Sequence, residues 1–233
     1  MSEHTYKQFD AEMQEIRSGV MAMGGLVETQ LARAIQSLRH PELDQIDTVA
    51  ADEQAINQMQ MNIDQQCSQI IAKRQPAAID LRTILIVVKI VNELERIGDE
   101  VKKIAYKAQQ MQRPERLTAV RLHDIARAAE LAENNLQLAL DAFARLDVNA
   151  AATVVSNDEA IDAAFLAILR QLISYMMEDP RTITPALEIV FIAKSIERIG
   201  DHAKNIAENV VHAVKGVDVR HATAEQIRAE VAD

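Results

Sequence analysis

The pentapeptide Glu-Arg-Ile-Gly-Asp at residues 95–99 decides the fold of this chain, because it recurs letter for letter at residues 197–201. Further identical pairs flank it at a spacing of 102 residues downstream and 105 residues upstream: Lys102/Lys204, Ile104/Ile206, Ala105/Ala207, Leu31/Leu136, Ala34/Ala139, Val49/Val154 and Ile56/Ile161. Matching over this length indicates a duplicated structural unit.

Each unit is predicted to contain three long helices. In the first segment apolar residues recur at steps of three and four, which predicts one face of an amphipathic helix: Phe9, Met13, Ile16, Val20, Met23, Val27, Leu31, Ala34 and Leu38. The other predicted helices cover approximately 42–73, 77–112, 115–146, 148–178 and 182–215. Pro41, Pro76, Pro114, Pro180 and Pro185 separate periodic segments, and Asp147 is a predicted N-cap.

Two local features need an explanation. Residues 84–88 form a β-like run, but apolar residues continue after it at helical spacing, so we predict the buried middle of a helix. Gly24 and Gly25 interrupt the first helix, at about 1 kcal/mol each relative to alanine, and predict a kink or a close helix contact.

The predicted fold is all-α, with six long antiparallel helices in two tandem three-helix bundles that are related by a pseudo-twofold repeat. Residues 1–112 form the first repeat and 113–215 the second. Residues 216–233 are a polar C-terminal tail that we expect to be loosely ordered. Strong helix formers dominate the composition, aromatic residues make up only 3%, and no two-residue hairpin turn is evident.

Composition excludes several classes of function. The net charge of −10, without an evident basic face, argues against direct binding of nucleic acid. The single cysteine, Cys67, excludes an internal disulfide and fits a small core residue. The N-terminus lacks an apolar signal core, and the apolar runs 84–88 and 163–169 are too short for a membrane span. We therefore expect a soluble, cytoplasmic protein.

The repeated pentapeptide carries the candidate metal ligands. Glu95 and Asp99 share one helix face, as do Glu197 and Asp201, and two like charges there cost a few tenths of a kcal/mol unless a cation joins them. The cation is either the following lysine, Lys102 or Lys204, in a solvated network, or a metal ion. Both alternatives remain open from the sequence.

A second helix must complete any metal site. The second helix of repeat two offers Asp158 and Asp162, whereas the matching positions of repeat one hold Glu53 and Asn57, which predicts a weaker site. His202, beside Asp201, is a further weak candidate. The glycines inside the pentapeptides fit close packing of a neighbouring helix or, second, room for a metal cluster or a partner.

Patterns typical of enzymes are absent from the sequence. There is no phosphate-binding glycine loop, no nucleophile elbow, no paired-cysteine motif and no Glu-x-x-His. Carboxylates without a suitable histidine or lysine give little support to a metal-dependent phosphohydrolase. We expect the protein not to be an enzyme.

Three stretches resemble the PhoU family of bacterial phosphate-signalling regulators. They are the twin pentapeptide helices, most of all residues 194–208, the segment 72–82 with Lys-Arg-Gln-Pro followed by Asp-Leu-Arg, and Met-Ala-Met-Gly-Gly at 21–25. The resemblance covers residues 8–220. It implies two three-helix bundles, a homodimer, and E/D-x-x-x-D motifs that hold divalent or trivalent metal ions such as Mg, Mn, Fe or Zn without catalysis.

The resemblance also implies a function and partners. Such a protein represses the phosphate-starvation response and restrains phosphate uptake, by linking the ATPase subunit of the phosphate-specific ABC transporter to a membrane sensor histidine kinase. Membrane contact would come only through these partners. The alternatives are a metal-storage bundle and a structural helical scaffold with no signalling role.

Overall fold

A computed structural model describes residues 2–39, 45–110, 118–220 and 222–232. The described residues form seven α-helices, with a short 3₁₀ helix at Pro180–Thr182, and contain no strand: α1 (Ser2–Arg39), α2 (Ile46–Arg74), α3 (Ala78–Gln110), α4 (Thr118–Arg145), α5 (Val148–Glu178), α6 (Ile183–Lys215) and α7 (Ala224–Ala232). The prediction of an all-α fold with six long helices is confirmed.

The six long helices form two three-helix bundles that lie against each other. Helices α1, α2 and α3 pack together, and α4, α5 and α6 repeat the arrangement. Across the two repeats, α3 packs along α6 and α1 packs against α4. The buried apolar residues of both bundles belong to one continuous core.

The duplicated sequence pattern places equivalent residues in equivalent core positions. Ile97 and Ile199 of the two pentapeptides are fully buried, as are Ile56 and Ile161 of α2 and α5. Ile84, Ile86 and Val87 are buried inside α3, so the prediction that this β-like run is helical is confirmed.

A local sequence signal accounts for the start of α5. Asp147 caps α5, because its carboxylate accepts hydrogen bonds from the backbone N–H groups of Asn149 and Ala150. Pro185, in contrast, does not separate two segments but lies in the first turn of α6, where a missing N–H breaks no helical hydrogen bond. Pro41, Pro114 and the predicted boundary at 112/113 lie outside the described residues.

Gly24 and Gly25 differ in their surroundings. A Cβ atom on Gly24 would lie 2.7 Å from Leu140 Cδ2 of α4, whereas one on Gly25 would meet nothing within 4 Å. The expected close helix contact is therefore real, and it belongs to Gly24.

The expectation of a loosely ordered tail is wrong for residues 222–232. Thr223 and Gln226 form a reciprocal pair of hydrogen bonds between side chain and backbone that begins α7. Ile227 is fully buried and α7 packs against α5. Val219 is buried as well, and Ala222, Ala224 and Val231 pack against the core, so apolar contacts dock this segment.

Cys67 occupies the core, as expected. It is buried, and burial raises the pKa of its thiol to about 11. A thiol that stays protonated is unreactive at neutral pH.

Helix α5 is, among the described helices, the one whose length and apolar composition would allow it to cross a membrane. The core helix of a soluble protein can pass the same test, but only 17% of the most apolar part of α5 is buried.

Candidate functional site

Close helix packing explains the glycine inside each pentapeptide. A Cβ atom on Gly200 would lie 2.8 Å from Ile161 Cδ1, and one on Gly98 would lie 3.3 Å from Ile56 Cδ1. Each glycine thus admits an isoleucine from the second helix of its own repeat, and this contact brings the two acid-bearing helices together.

Four carboxylates of repeat two come together: Asp158 and Asp162 on α5 with Glu197 and Asp201 on α6. Burial, followed by repulsion from Glu197, Asp158 and Asp162, raises the pKa of Asp201. Burial, followed by repulsion from Asp158 and Glu197, raises the pKa of Asp162. The cluster is therefore short of positive charge although lysines lie beside it.

Two lysines of α6 hold two of these carboxylates. Lys204 Nζ donates a hydrogen bond to Asp158 Oδ2 at 2.9 Å, and Lys194 Nζ lies 2.5 Å from both carboxylate oxygens of Glu197. The other oxygen of Asp158, Oδ1, is buried and has no hydrogen-bond partner among the described residues. Asp158 itself is only 3% exposed, so this oxygen is a buried acceptor that could still take a cation.

In the equivalent cluster of repeat one, both carboxylate oxygens of Glu53 have partners. Asn57 Nδ2 donates to Glu53 Oε1 at 2.9 Å, and Lys102 Nζ lies 3.0 Å from Glu53 Oε2. Burial and repulsion from Asp99 raise the pKa of Glu95. The asparagine at the position of Asp162 thus supplies a neutral donor where repeat two has a further negative charge.

These residues fit a metal ion in their chemistry but not in their present positions. Carboxylate oxygens suit hard cations, and the raised pKa values with the unpaired Asp158 oxygen indicate room for positive charge in repeat two. In residues 2–39, 45–110, 118–220 and 222–232, however, no three acidic, histidine or cysteine side chains are arranged to hold a metal. Binding would require Lys194 and Lys204 to turn away.

His202 contacts the other repeat. Its Nδ1 lies 2.7 Å from Glu93 Oε2 of α3, and that carboxylate oxygen also accepts a hydrogen bond from Asn205. Burial alone would raise the pKa of Glu93, but these hydrogen bonds lower it overall. His202 therefore connects α3 to α6, while the candidate ligands of repeat two lie on the faces between α5 and α6.

Sequence reasoning missed a ladder of polar contacts along α3 and α6. Glu100 accepts hydrogen bonds from Ser195 and Arg198, and Lys107 Nζ lies 2.6 Å from Glu188. With the Glu93 contact, these pairs recur every seven residues on antiparallel helices, at 93, 100 and 107 opposite 202, 195 and 188. The duplication could have revealed this contact. At the offset of 102 residues, Glu93 is equivalent to Ser195 and Glu100 is equivalent to His202. The Glu93–His202 pair is therefore equivalent to the Ser195–Glu100 pair, as expected for a pseudo-twofold axis through this interface.

The sequence model of the PhoU domain matches residues 20–108 and 125–210. The chain belongs to the PhoU family.

Relatives and solved structures agree with this assignment. The PhoU homolog of Pseudomonas putida is 43% identical over 235 residues, which is 99% of this chain and 90% of the relative. PhoU of Escherichia coli K12 is 40% identical over 97% of this chain and 93% of its own length. Both are named phosphate-specific transport system accessory proteins, a name that describes no enzyme.

The fold is also that of crystallised PhoU proteins. The structure of PhoU from Pseudomonas aeruginosa has a TM-score of 0.84 at 42% identity and covers 90% of this chain and 100% of its own. The structure of the phosphate transport system regulatory protein PhoU from Streptococcus pneumoniae has a TM-score of 0.83 at 26% identity, over 91% and 99%.

Proposed function

We propose that this chain represses the phosphate-starvation response and restrains phosphate uptake. The observation that carries this proposal is the similarity, along almost the whole chain, to proteins named phosphate-specific transport system accessory proteins. No catalytic step is needed, because repression requires only that one protein change the activity of another.

The mechanism we propose is that of an adaptor. The protein would act in the cytoplasm, as a homodimer, and would link the ATPase subunit of the phosphate-specific transporter to the sensor histidine kinase. A continuous core across both repeats supports this role, since contact at one end of a rigid body can position the other end. The net charge of −10 suits docking onto basic protein surfaces.

A metal ion would complete the carboxylate cluster of repeat two. Asp158, Asp162, Glu197 and Asp201 would hold it, and its role would be to neutralise their repulsion. The repeat-one residues Glu95 and Asp99, with Glu53 and Asn57, would bind more weakly, because Glu53 already has an amide and an ammonium partner.

Alkaline phosphatase activity in phosphate-replete cells tests the regulatory role. A host strain that lacks its own PhoU should have high activity, and expression of this chain should return it to the low level of the parent strain. The matched control is the same strain with an empty vector. Activity that stays high, although the protein accumulates in folded form, would contradict the proposal.

Two further measurements separate the alternatives. A metal-storage protein would carry a high load of iron or manganese and leave the phosphatase level unchanged. A plain scaffold would tolerate the double replacement Glu95→Ala and Glu197→Ala, whereas metal-dependent regulation would lose repression in that variant.

A further inference from the structure

A cavity of about 440 Å³ lies at one end of the molecule, where α1, the start of α3 and the end of α6 meet. Its volume falls within the range of about 300–1,000 Å³ that small-molecule sites occupy. Apolar residues form much of its wall: Phe9, Met13, Ile79, Leu146, Ala213 and Val214. Ile79 is 64% exposed and Val214 is 42% exposed, so a bound molecule would remove apolar surface from water.

Two arginines, Arg17 of α1 and Arg82 of α3, line the same cavity. Neither guanidinium forms an ion pair with a carboxylate in the part of the chain that the structure describes. The Nε of Arg82 is buried and has no hydrogen-bond partner there. A buried donor without an acceptor costs free energy, and the guanidinium fork matches the oxygens of a phosphate or a carboxylate. The cavity therefore offers an oxyanion two cationic partners.

Arg74 and Arg82 belong to the same segment, 72–82, but differ in their partners. Arg74 donates two hydrogen bonds to the carboxylate of Glu12, at 3.1 and 2.8 Å, and so connects the end of α2 to α1. Arg82 has no such structural partner. At the offset of 102 residues, repeat two holds Thr184 in its place. A three-helix bundle of this type thus forms without an arginine at this position.

Several positive charges lie at this end of the molecule, although the whole chain carries a net charge of −10. Burial, followed by repulsion from Lys89, lowers the pKa of His212 in the last turn of α6, and the charges of Arg82 and Arg220 lower it further. Asp218 acts in the opposite direction, but its carboxylate is bound by Arg220. The local charge therefore favours an anion.

Polar residues of the cavity restrict the kind of anion. Asp10, Gln14 and Asp80 line it and are exposed, and their side-chain oxygens accept hydrogen bonds from hydroxyl and amino groups. A fatty acid has no such donors, whereas a nucleoside carries them on its ribose and its base. Two arginines also match the charge of about −1.5 to −2 on a single phosphate group. An aromatic ring beside the cations completes a combination that fits a nucleotide with one phosphate.

We propose that this cavity binds a nucleoside monophosphate, with its phosphate on Arg17 and Arg82 and its base against Phe9 and Ile79. The ligand would contact α1, α3 and α6 at once, because all three helices line the cavity. This site goes beyond the proposed regulatory function and does not depend on it.

Isothermal titration calorimetry of the purified full chain with AMP tests the site. Adenosine and inorganic phosphate are the two halves of AMP and are titrated separately. We expect AMP to bind at one saturable site and each half to bind at least about tenfold more weakly, because each keeps only part of the contacts.

The arginine variants test the position of the phosphate. Arg82→Gln should weaken AMP binding by about tenfold or more, because it removes charged donors, and should leave the weak binding of adenosine unchanged. Arg17→Gln should act in the same direction, and circular dichroism checks that both variants are folded. The matched control is Arg127→Gln, at an exposed arginine of α4 roughly 28 Å along the helix from Leu146. It should bind AMP as the wild type does.

Three results would overturn the proposal. The first is the absence of saturable AMP binding at millimolar concentration, and the second is equal affinity of the wild type and folded Arg82→Gln. The third is inorganic phosphate that binds as tightly as AMP, because the apolar wall would then contribute nothing. Binding to the purified protein does not require signalling, so failure here is distinct from failure of repression in the phosphatase assay.

Discussion

At the scale of single residues, Gly98 and Gly200 differ in how much space a side chain at each position would have. We predict that Gly200→Ala lowers the free energy of unfolding by about 1–2 kcal/mol, because a contact of 2.8 Å with Ile161 forces repacking that outweighs the better helix propensity. Gly98→Ala, at 3.3 Å from Ile56, should be close to neutral. Urea denaturation measures both.

The control for that comparison is Gly25→Ala, where the added methyl group meets nothing within 4 Å. It should stabilise the protein by up to about 1 kcal/mol through helix propensity alone. If Gly200→Ala stabilised the protein as much as Gly25→Ala, close packing with Ile161 would not explain the glycine at this position of the pentapeptide.

The carboxylate cluster makes a second prediction at the residue scale. A raised pKa in the folded state means that the stability associated with Asp201 is present at low pH and is lost as the pH rises through that pKa. In chelator-treated protein at pH 7, Asp201→Asn should therefore raise the free energy of unfolding by about 0.5 kcal/mol. Thermal denaturation with and without chelator measures the change.

The same variant should respond less to metal. Added Mn²⁺ should raise the melting temperature of the wild type and do so much less for Asp201→Asn, because one of the four proposed ligands is gone. Asp141→Asn, an exposed aspartate of α4, controls for loss of a charge elsewhere. Equal responses of wild type and both variants would remove Asp201 from the list of ligands.

At the scale of helices, the contact of α3 with α6 contains two glutamates, Glu93 and Glu100, whose hydrogen bonds favour the ionised form. Burial alone would raise the pKa of Glu100, but hydrogen bonds from Lys103 and Ser195 and the charge of Arg198 lower it. A lowered pKa contributes stability above the ordinary value of 4.5, and that contribution is lost as the pH falls below it. Glu93, held by His202 and Asn205, behaves alike.

Glu100→Gln should therefore destabilise the protein by about 1–2 kcal/mol at pH 7, since charge-assisted hydrogen bonds are replaced by weaker ones. The difference from the wild type should shrink as the pH falls below 4.5, where the wild-type carboxylate also becomes neutral. Denaturant titrations at pH 7, 5 and 3.5 follow it. Glu159→Gln, on the exposed side of α5, should match the wild type throughout.

Helices were predictable from the sequence because each one is defined locally, by apolar residues at helical spacing and by caps such as Asp147. The pairing of α3 with α6 was not, because it depends on which face of each pentapeptide helix remains free once its own bundle has formed. The tail helix α7 was missed for a related reason. Ile227 is the one fully buried residue among the described residues of α7, and a single apolar residue gives almost no periodic signal in a helix of nine residues.

The sequence predicted which residues make up the candidate site but not which side chains pair with them. Spacing of four residues correctly placed Glu197 and Asp201 on one helix, and the repeat pointed to Asp158 and Asp162 on another. That Lys194 and Lys204 hold two of these carboxylates depends on side-chain packing, which spacing does not specify. Whether a metal displaces those lysines stays a prediction.

At the scale of the whole molecule, the two repeats should unfold together. They share one continuous apolar core and contact each other along the full polar ladder of α3 and α6, so neither bundle can lose its structure without exposing the other. The chain has no tryptophan, which allows one reporter per repeat: Phe9→Trp in the first and Phe165→Trp in the second. Both fluorescence transitions in urea should coincide with the loss of helical circular dichroism. Two separate midpoints would instead show that the repeats predicted at 1–112 and 113–215 are independent domains. An adaptor built that way could not transmit a contact made at one bundle to the other as a rigid body.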